Sequence, residues 1–119
     1  KRTEAPGATM AIHPTAIVDP AAEIDPSASI GPFVVVEGPV VIGARTRVLA
    51  HATLLGRTTI GADNEIHMGA VIGNTPQDRG YDGSATAVCI GDRNVFREHV
   101  QIHRASRPDG VTRIGDDNY

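Results

Sequence analysis

Five histidines and a single cysteine are the residues of this 119-residue chain best suited to chemistry near neutral pH. An imidazole has an unperturbed pKa close to working pH, so it can act as a general base, and its neutral form ligates metals. His13, His67 and His103 stand 54 and 36 residues apart, both multiples of 18. Each directly follows an isoleucine (Ile12, Ile66, Ile102), so on a strand each points away from the side its isoleucine faces. If the chain coils every 18 residues, the three form one outward column, with His103 two coils above His67. Two coils at the strand spacing make roughly 10 Å, too far for one metal within a chain. His99 and His103 have the spacing of a helical zinc pair, which carries no such meaning on a strand. His51 reads as surface or interface. Cys89 precedes Ile90 and should face outward as a lone buried or interface thiol; one cysteine excludes an internal disulfide and fits a reducing compartment.

The elements that must position these groups are written in the isoleucines. Ile12, Ile24, Ile30, Ile42, Ile60, Ile66, Ile72, Ile90, Ile102 and Ile114 share one frame of a six-residue ruler, and only Ile17 is off it. Val18, Val36, Val48 and Leu54 fill the remaining marks up to Ile72. Period six is neither the helical repeat nor simple strand alternation; it is the signature of a β-helix built from hexapeptides. Glycine follows the aliphatic at Gly31, Gly43, Gly61, Gly73, Gly91 and Gly115, and small or turn-tolerant residues such as Ala28, Thr46, Asn64, Asn94 and Asn118 take the fifth position. Glycine and asparagine tolerate the left-handed backbone that tight corners demand, so these positions are expected at the corners. Three hexads close one triangular coil, and the span from Ile12 to Tyr119 predicts about six coils. Val34, Val40 and Val100 are expected to face outward.

Two stretches break the code. Asp78 and Ser84 occupy ruler marks within Asn74–Thr86 (NTPQDRGYDGSAT), which reads as a loop pushed out of the coil. Pro108 occupies a mark within Arg104–Thr112 (RASRPDGVT), a second break. In a solenoid, insertions gather on one face, often the binding face.

Composition sets further bounds. The length fits one domain, and aromatics at 3% with no Trp leave a thin stack of Ile and Val as the core. A net charge of -3 without runs of like charge argues against a nucleic-acid partner or a polybasic membrane surface. The apolar runs are far too short for a transmembrane segment. Residues 1–10 lack the apolar segment of a secretory signal and read as a disordered leader, with the β-helix over 11–119.

HPTAIV at 13–18, IGPF at 30–33, GADNEI at 61–66, IGNTPQD at 72–78, IGDRNVFRE at 90–98 and IHRAS at 102–106 follow one another in a specific order. In that order the chain resembles the N-terminal part of the UDP-N-acetylglucosamine O-acyltransferases, the hexapeptide-repeat family that begins lipid A synthesis. The resemblance implies an all-β, left-handed parallel β-helix; the handedness comes from it and not from the period. It implies transfer of a 3-hydroxyacyl group from acyl carrier protein to the 3-hydroxyl of UDP-N-acetylglucosamine, in a cytoplasmic bacterial homotrimer that needs no metal or other cofactor. Such chemistry calls for a general base at the sugar hydroxyl and a donor for the developing oxyanion.

By the same resemblance the general-base histidine belongs to a coil beyond Tyr119, so the chain is expected to be a fragment or one half of a split protein, inactive alone. Gln77 and Asp78 match the loop that reaches the sugar nucleotide, and amide and carboxylate groups can hydrogen-bond its hydroxyls. Gly80 stands where the family places a lysine, and Arg79 could substitute if the loop presents it differently. His103, in IHRAS, would help line the substrate site. Two other classes stay open: a non-catalytic trimeric scaffold, and a γ-type carbonic anhydrase with zinc on His67, His99 and His103.

Overall fold

The computed structural model describes residues 11–75, 83 and 85–119. Among these residues the chain forms fifteen short strands and no helix. Sheet A is built from β1 (Ala11–Ile12), β4 (Ser29–Ile30), β7 (Arg47–Val48), β10 (Glu65–Ile66) and β13 (Val95–Phe96). Sheet B stacks β2 (Ile17–Val18), β5 (Val35–Glu37), β8 (Thr53–Leu55), β11 (Val71–Asn74) and β14 (Gln101–His103). Sheet C stacks β3 (Glu23–Ile24), β6 (Val41–Ile42), β9 (Arg57–Ile60), β12 (Ala87–Ile90) and β15 (Val111–Ile114). All pairs are parallel, and each strand bonds to the strand three places on in the chain, so the backbone winds as a three-sided prism.

The ruler marks face inward. Ile30, Ile42, Leu54, Ile60, Ile66, Ile72 and Ile90 are buried, and Phe96 takes a mark without breaking the stack. Burying each such side chain contributes roughly 1.5–3 kcal/mol, which is how a prism one side chain thick holds together. Val34 and Val40 are fully buried and Val100 packs against the core, correcting the outward placement expected from alternation. They lie where the chain turns from one sheet to the next, and there the strand alternation is suspended.

Each sheet has five strands, so there are five coils and not six. Successive partners step by 18 residues from Ser29 to Arg47 to Glu65, but by 30 from Glu65 to Val95, which is 12 more than a coil. Ala87 pairs with Val111, a step of 24, or 6 more than a coil. Both insertions are multiples of six, so the aliphatic frame keeps its phase across them and hides the missing coil.

The corners also differ from the expected pattern. The left-handed backbone falls on Phe33, His51 and His99 between sheets A and B, and on Arg45, Asp63, Arg93 and Asp117 between sheets C and A. Asn64 and Asn94 instead point inward and are buried. Asn64 Oδ1 accepts the Asn94 N–H at 2.8 Å, and Asn94 Oδ1 accepts the Asn118 N–H at 2.9 Å. The side-chain amides donate to Gly91 O and Gly115 O. The glycines after the marks serve close approach: a Cβ on Gly61 would lie 2.7 Å from Gly91 O.

Candidate functional site

Both insertions leave the prism at the same corner, between sheets B and C. The first departs after β11 and returns at β12; the second departs after β14 and returns at β15. The departure at Gly73 is built into the backbone. Gly73 adopts φ 91°, and the register between β11 and β14 shifts between Ile72 and Asn74. A side chain at Gly73 would collide with Leu55 O and Thr58 Oγ1 in the coil below. Thr58 Oγ1 in turn donates to Leu55 O at 2.7 Å, which satisfies a buried hydroxyl at the bend.

The coil above secures the same bend. The Arg104 N–H donates to Asn74 O at 2.9 Å, and Arg104 Nη1 donates to Gly73 O at 2.8 Å. His103, half-buried, sits opposite Asn74 at the end of β14, and its carbonyl accepts Thr112 Oγ1 at 2.9 Å. Where the loops rejoin sheet C, a depression of about 140 Å³ is lined by Arg57, Thr86, Ala87, Asp109 and Gly110. The Thr86 hydroxyl is buried there without a hydrogen-bond partner among the described residues.

Of the sequence-predicted site residues, the structure places His103 one strand from the exit of the first insertion. Gln77, Asp78 and Arg79, with Gly80, lie outside the described residues. The histidine column is corrected. His13 and His67 follow strands of sheet A, whereas His103 ends a strand of sheet B, because the 12 inserted residues displace it by two hexads. His67 Nε2 lies 3.0 Å from Glu65 Oε1, and its Nδ1 is 3.8 Å from Glu98 Oε2. His99 stands at the corner between sheets A and B, over Gly69. Among the described residues no group of three His, Cys, Asp or Glu side chains is arranged to hold a metal within the chain. His51 is exposed and stacks on Phe33 with ring centroids 5.1 Å apart. Cys89 faces outward on sheet C, half-exposed.

Lowered carboxylates lie mainly at the corner that follows sheet C, with Asp19 at the corner between sheets B and C. The Arg45 guanidinium binds Asp63 through two hydrogen bonds and holds its carboxyl below the usual range. Arg93 does the same to Asp117. Asp19 is lowered by the backbone N–H groups of Ala21 and Gly38, and Asp25 by the Ser27 hydroxyl. Sequence reasoning missed Arg104. The arginine stands within IHRAS, but nothing in the sequence signals its partner, since Gly73 O is a backbone atom 31 residues away.

A three-sided prism of hexapeptide coils, all-β and parallel, with insertions confined to one corner, defines the class as a hexapeptide β-helix, left-handed like the solved structures it matches. No family model matches the chain. It is 49% identical over 111 residues to the acyl-[acyl-carrier-protein]–UDP-N-acetylglucosamine O-acyltransferase of Syntrophobacter fumaroxidans, covering 92% of this chain and 43% of that protein. Its fold is similar to the UDP-N-acetylglucosamine acyltransferase of Francisella novicida, with a TM-score of 0.84, 42% identity, and 87% and 38% of the two chains covered. The LpxA structure from Acinetobacter baumannii gives the same TM-score of 0.84 and 42% identity, covering 88% of this chain and 41% of that one. The chain is thus related by sequence and by fold to the UDP-N-acetylglucosamine O-acyltransferases, and it spans under half their length.

Proposed function

We propose that the chain is part of an enzyme that transfers a 3-hydroxyacyl group from acyl carrier protein to the 3-hydroxyl of UDP-N-acetylglucosamine, in lipid A biosynthesis. The observation that carries this reading is the 49% identity to such an acyltransferase along 92% of the chain. In the reaction the sugar oxygen attacks the thioester carbon as a general base takes its proton. The carbon–sulfur bond then breaks, and the departing thiolate of the carrier protein regains a proton. None of the five histidines here is assigned the base; the resemblance gives that role to a histidine beyond Tyr119. This segment contributes the prism and the insertions, with Gln77, Asp78, Arg79 and His103 as candidate contacts to the sugar nucleotide. No step as written calls for a metal or other cofactor.

A homotrimer is part of the proposal, supported by apolar side chains left on the outside: Ile17 is 66% exposed, Phe33 57% and Met68 49%. A cytoplasmic setting is proposed because both substrates, an acyl carrier protein and a sugar nucleotide, are met there; among the described residues no helix is long and apolar enough to cross a membrane. The test is transfer from 3-hydroxyacyl carrier protein to radiolabelled UDP-N-acetylglucosamine by the full-length protein. The expected result is a 3-O-acylated sugar nucleotide. A stable trimer that forms no product and binds no UDP-N-acetylglucosamine would overturn the reading in favour of a scaffold.

A further inference from the structure

Arg104 is the side chain whose placement the stacking of coils does not explain. It belongs to the second insertion, yet its guanidinium reaches back across the corner to the first. Nη1 donates to Gly73 O at 2.8 Å while its own N–H holds Asn74 O at 2.9 Å, so one residue grips two consecutive carbonyls. Those carbonyls belong to the bend at which the chain leaves sheet B, marked by φ 91° at Gly73 and by the register shift beside it.

The route of the side chain is shaped for it. Gly56, in the coil below, lies under the guanidinium, and a Cβ there would sit 2.6 Å from Arg104 Nη1 and 3.3 Å from Cδ. Gly38 occupies the equivalent corner position one coil lower, also with positive φ, but what lies over it is the backbone of Gly56. A planar, permanently charged fork suits a carbonyl at a bend better than a flexible ammonium, because less freedom is lost for each bond made. A charge-assisted bond to a carbonyl is also stronger than a neutral one.

We propose that Arg104 is a positioning residue: by clamping Gly73 and Asn74 it fixes the angle at which the first insertion leaves the prism. An effect on substrate binding rests on the function proposed above; the clamp itself does not. Arg104 touches no substrate in this assignment and acts through Gly73.

Three variants of the full-length protein test it: Arg104→Ala, Arg104→Lys and Gly56→Ser, with Gly38→Ser as the control that carries the same backbone strain without meeting the guanidinium. Amide hydrogen exchange at Asn74, Thr75 and Arg104 is expected to speed up about tenfold in Arg104→Ala and Gly56→Ser. Arg104→Lys should recover part of the protection, and Gly38→Ser and the coil amides of Ile60 and Ile66 should stay as they were. The affinity for UDP-N-acetylglucosamine should fall about tenfold in the same two variants, with kcat changed less than KM. Unchanged exchange at the bend in Arg104→Ala would overturn the clamp, as would equal effects in Gly56→Ser and Gly38→Ser. If the unmodified protein binds no UDP-N-acetylglucosamine, the functional reading fails and the exchange arm still decides the clamp.

Discussion

Two corners of the same prism are put to opposite uses. From sheet C to sheet A the chain turns four times without an insertion; Thr46, Asn64 and Asn94 point inward there, and Arg45–Asp63 and Arg93–Asp117 pair outside. Between sheets B and C the strands are followed by left-handed glycines at Gly38, Gly56 and Gly73, with Asp109 left-handed inside the second insertion, and both insertions depart from this corner. The first corner bonds each coil to the next through side chains. The second leaves its side-chain space open, and that is where a long arginine and two loops fit. A repeat architecture must keep stacking while it acquires function, and here the two tasks are divided by corner.

Breaking the first corner should produce the largest effect. In Asn64→Ala the Asn94 N–H and Gly91 O, partners at 2.8 and 2.9 Å, are left buried and unpaired. The expected loss is about 3 kcal/mol, read as a lower urea midpoint. An unchanged midpoint would show that the ladder is incidental to stability. Gly61→Ala should follow at about 2 kcal/mol, because its Cβ would lie 2.7 Å from Gly91 O and the coils would have to part.

The second corner is tested by function. Asp78→Ala in the full-length protein should weaken UDP-N-acetylglucosamine binding about tenfold, the size of one or two lost hydrogen bonds, with little change in melting temperature. Gly80→Lys should tighten it a few-fold. Equal losses of stability and binding in Asp78→Ala would place that residue in packing and not in recognition.

The smallest effect is the acid dependence of the paired carboxylates. Asp63 is lowered chiefly by hydrogen bonds from Arg45, and Asp117 by those from Arg93. A carboxyl depressed in the folded state stabilises above its ordinary value of 3.8 and loses that contribution as pH falls through the folded value. Unfolding followed from pH 6 down to pH 3 should therefore show a decline confined to the acid end, shallower in Asp63→Asn. Both groups are open to solvent, which keeps the effect small. A decline already present at pH 6 would point to other groups.

The sequence carried the three-sided prism, the inward marks and the positions of both insertions, because a six-residue hydrophobic period is legible in residue order alone. It miscounted the coils for the same reason: Ile90 and Ile114 return to the frame after insertions of 12 and 6 residues, so phase cannot register them. That error carried His103 into the wrong column. Asn64 and Asn94 were read as corner formers because asparagine tolerates left-handed backbone, whereas Asp63 and Arg93 take that conformation and free the asparagines to bond inward. Arg104 was illegible, since its partner is a carbonyl that any residue at position 73 would offer.

The parallel pairing of every strand with the one three places on has a mechanical consequence. The two ends of the described strands, β1 and β15, lie in the first and last coils of the stack. A pulling force applied there acts along the prism axis, parallel to the inter-strand hydrogen bonds. Such a load unzips the end strand bond by bond and does not shear a whole sheet at once. The rod should therefore resist twisting and lateral pressure well, yet come apart under tension in small steps, one coil after another.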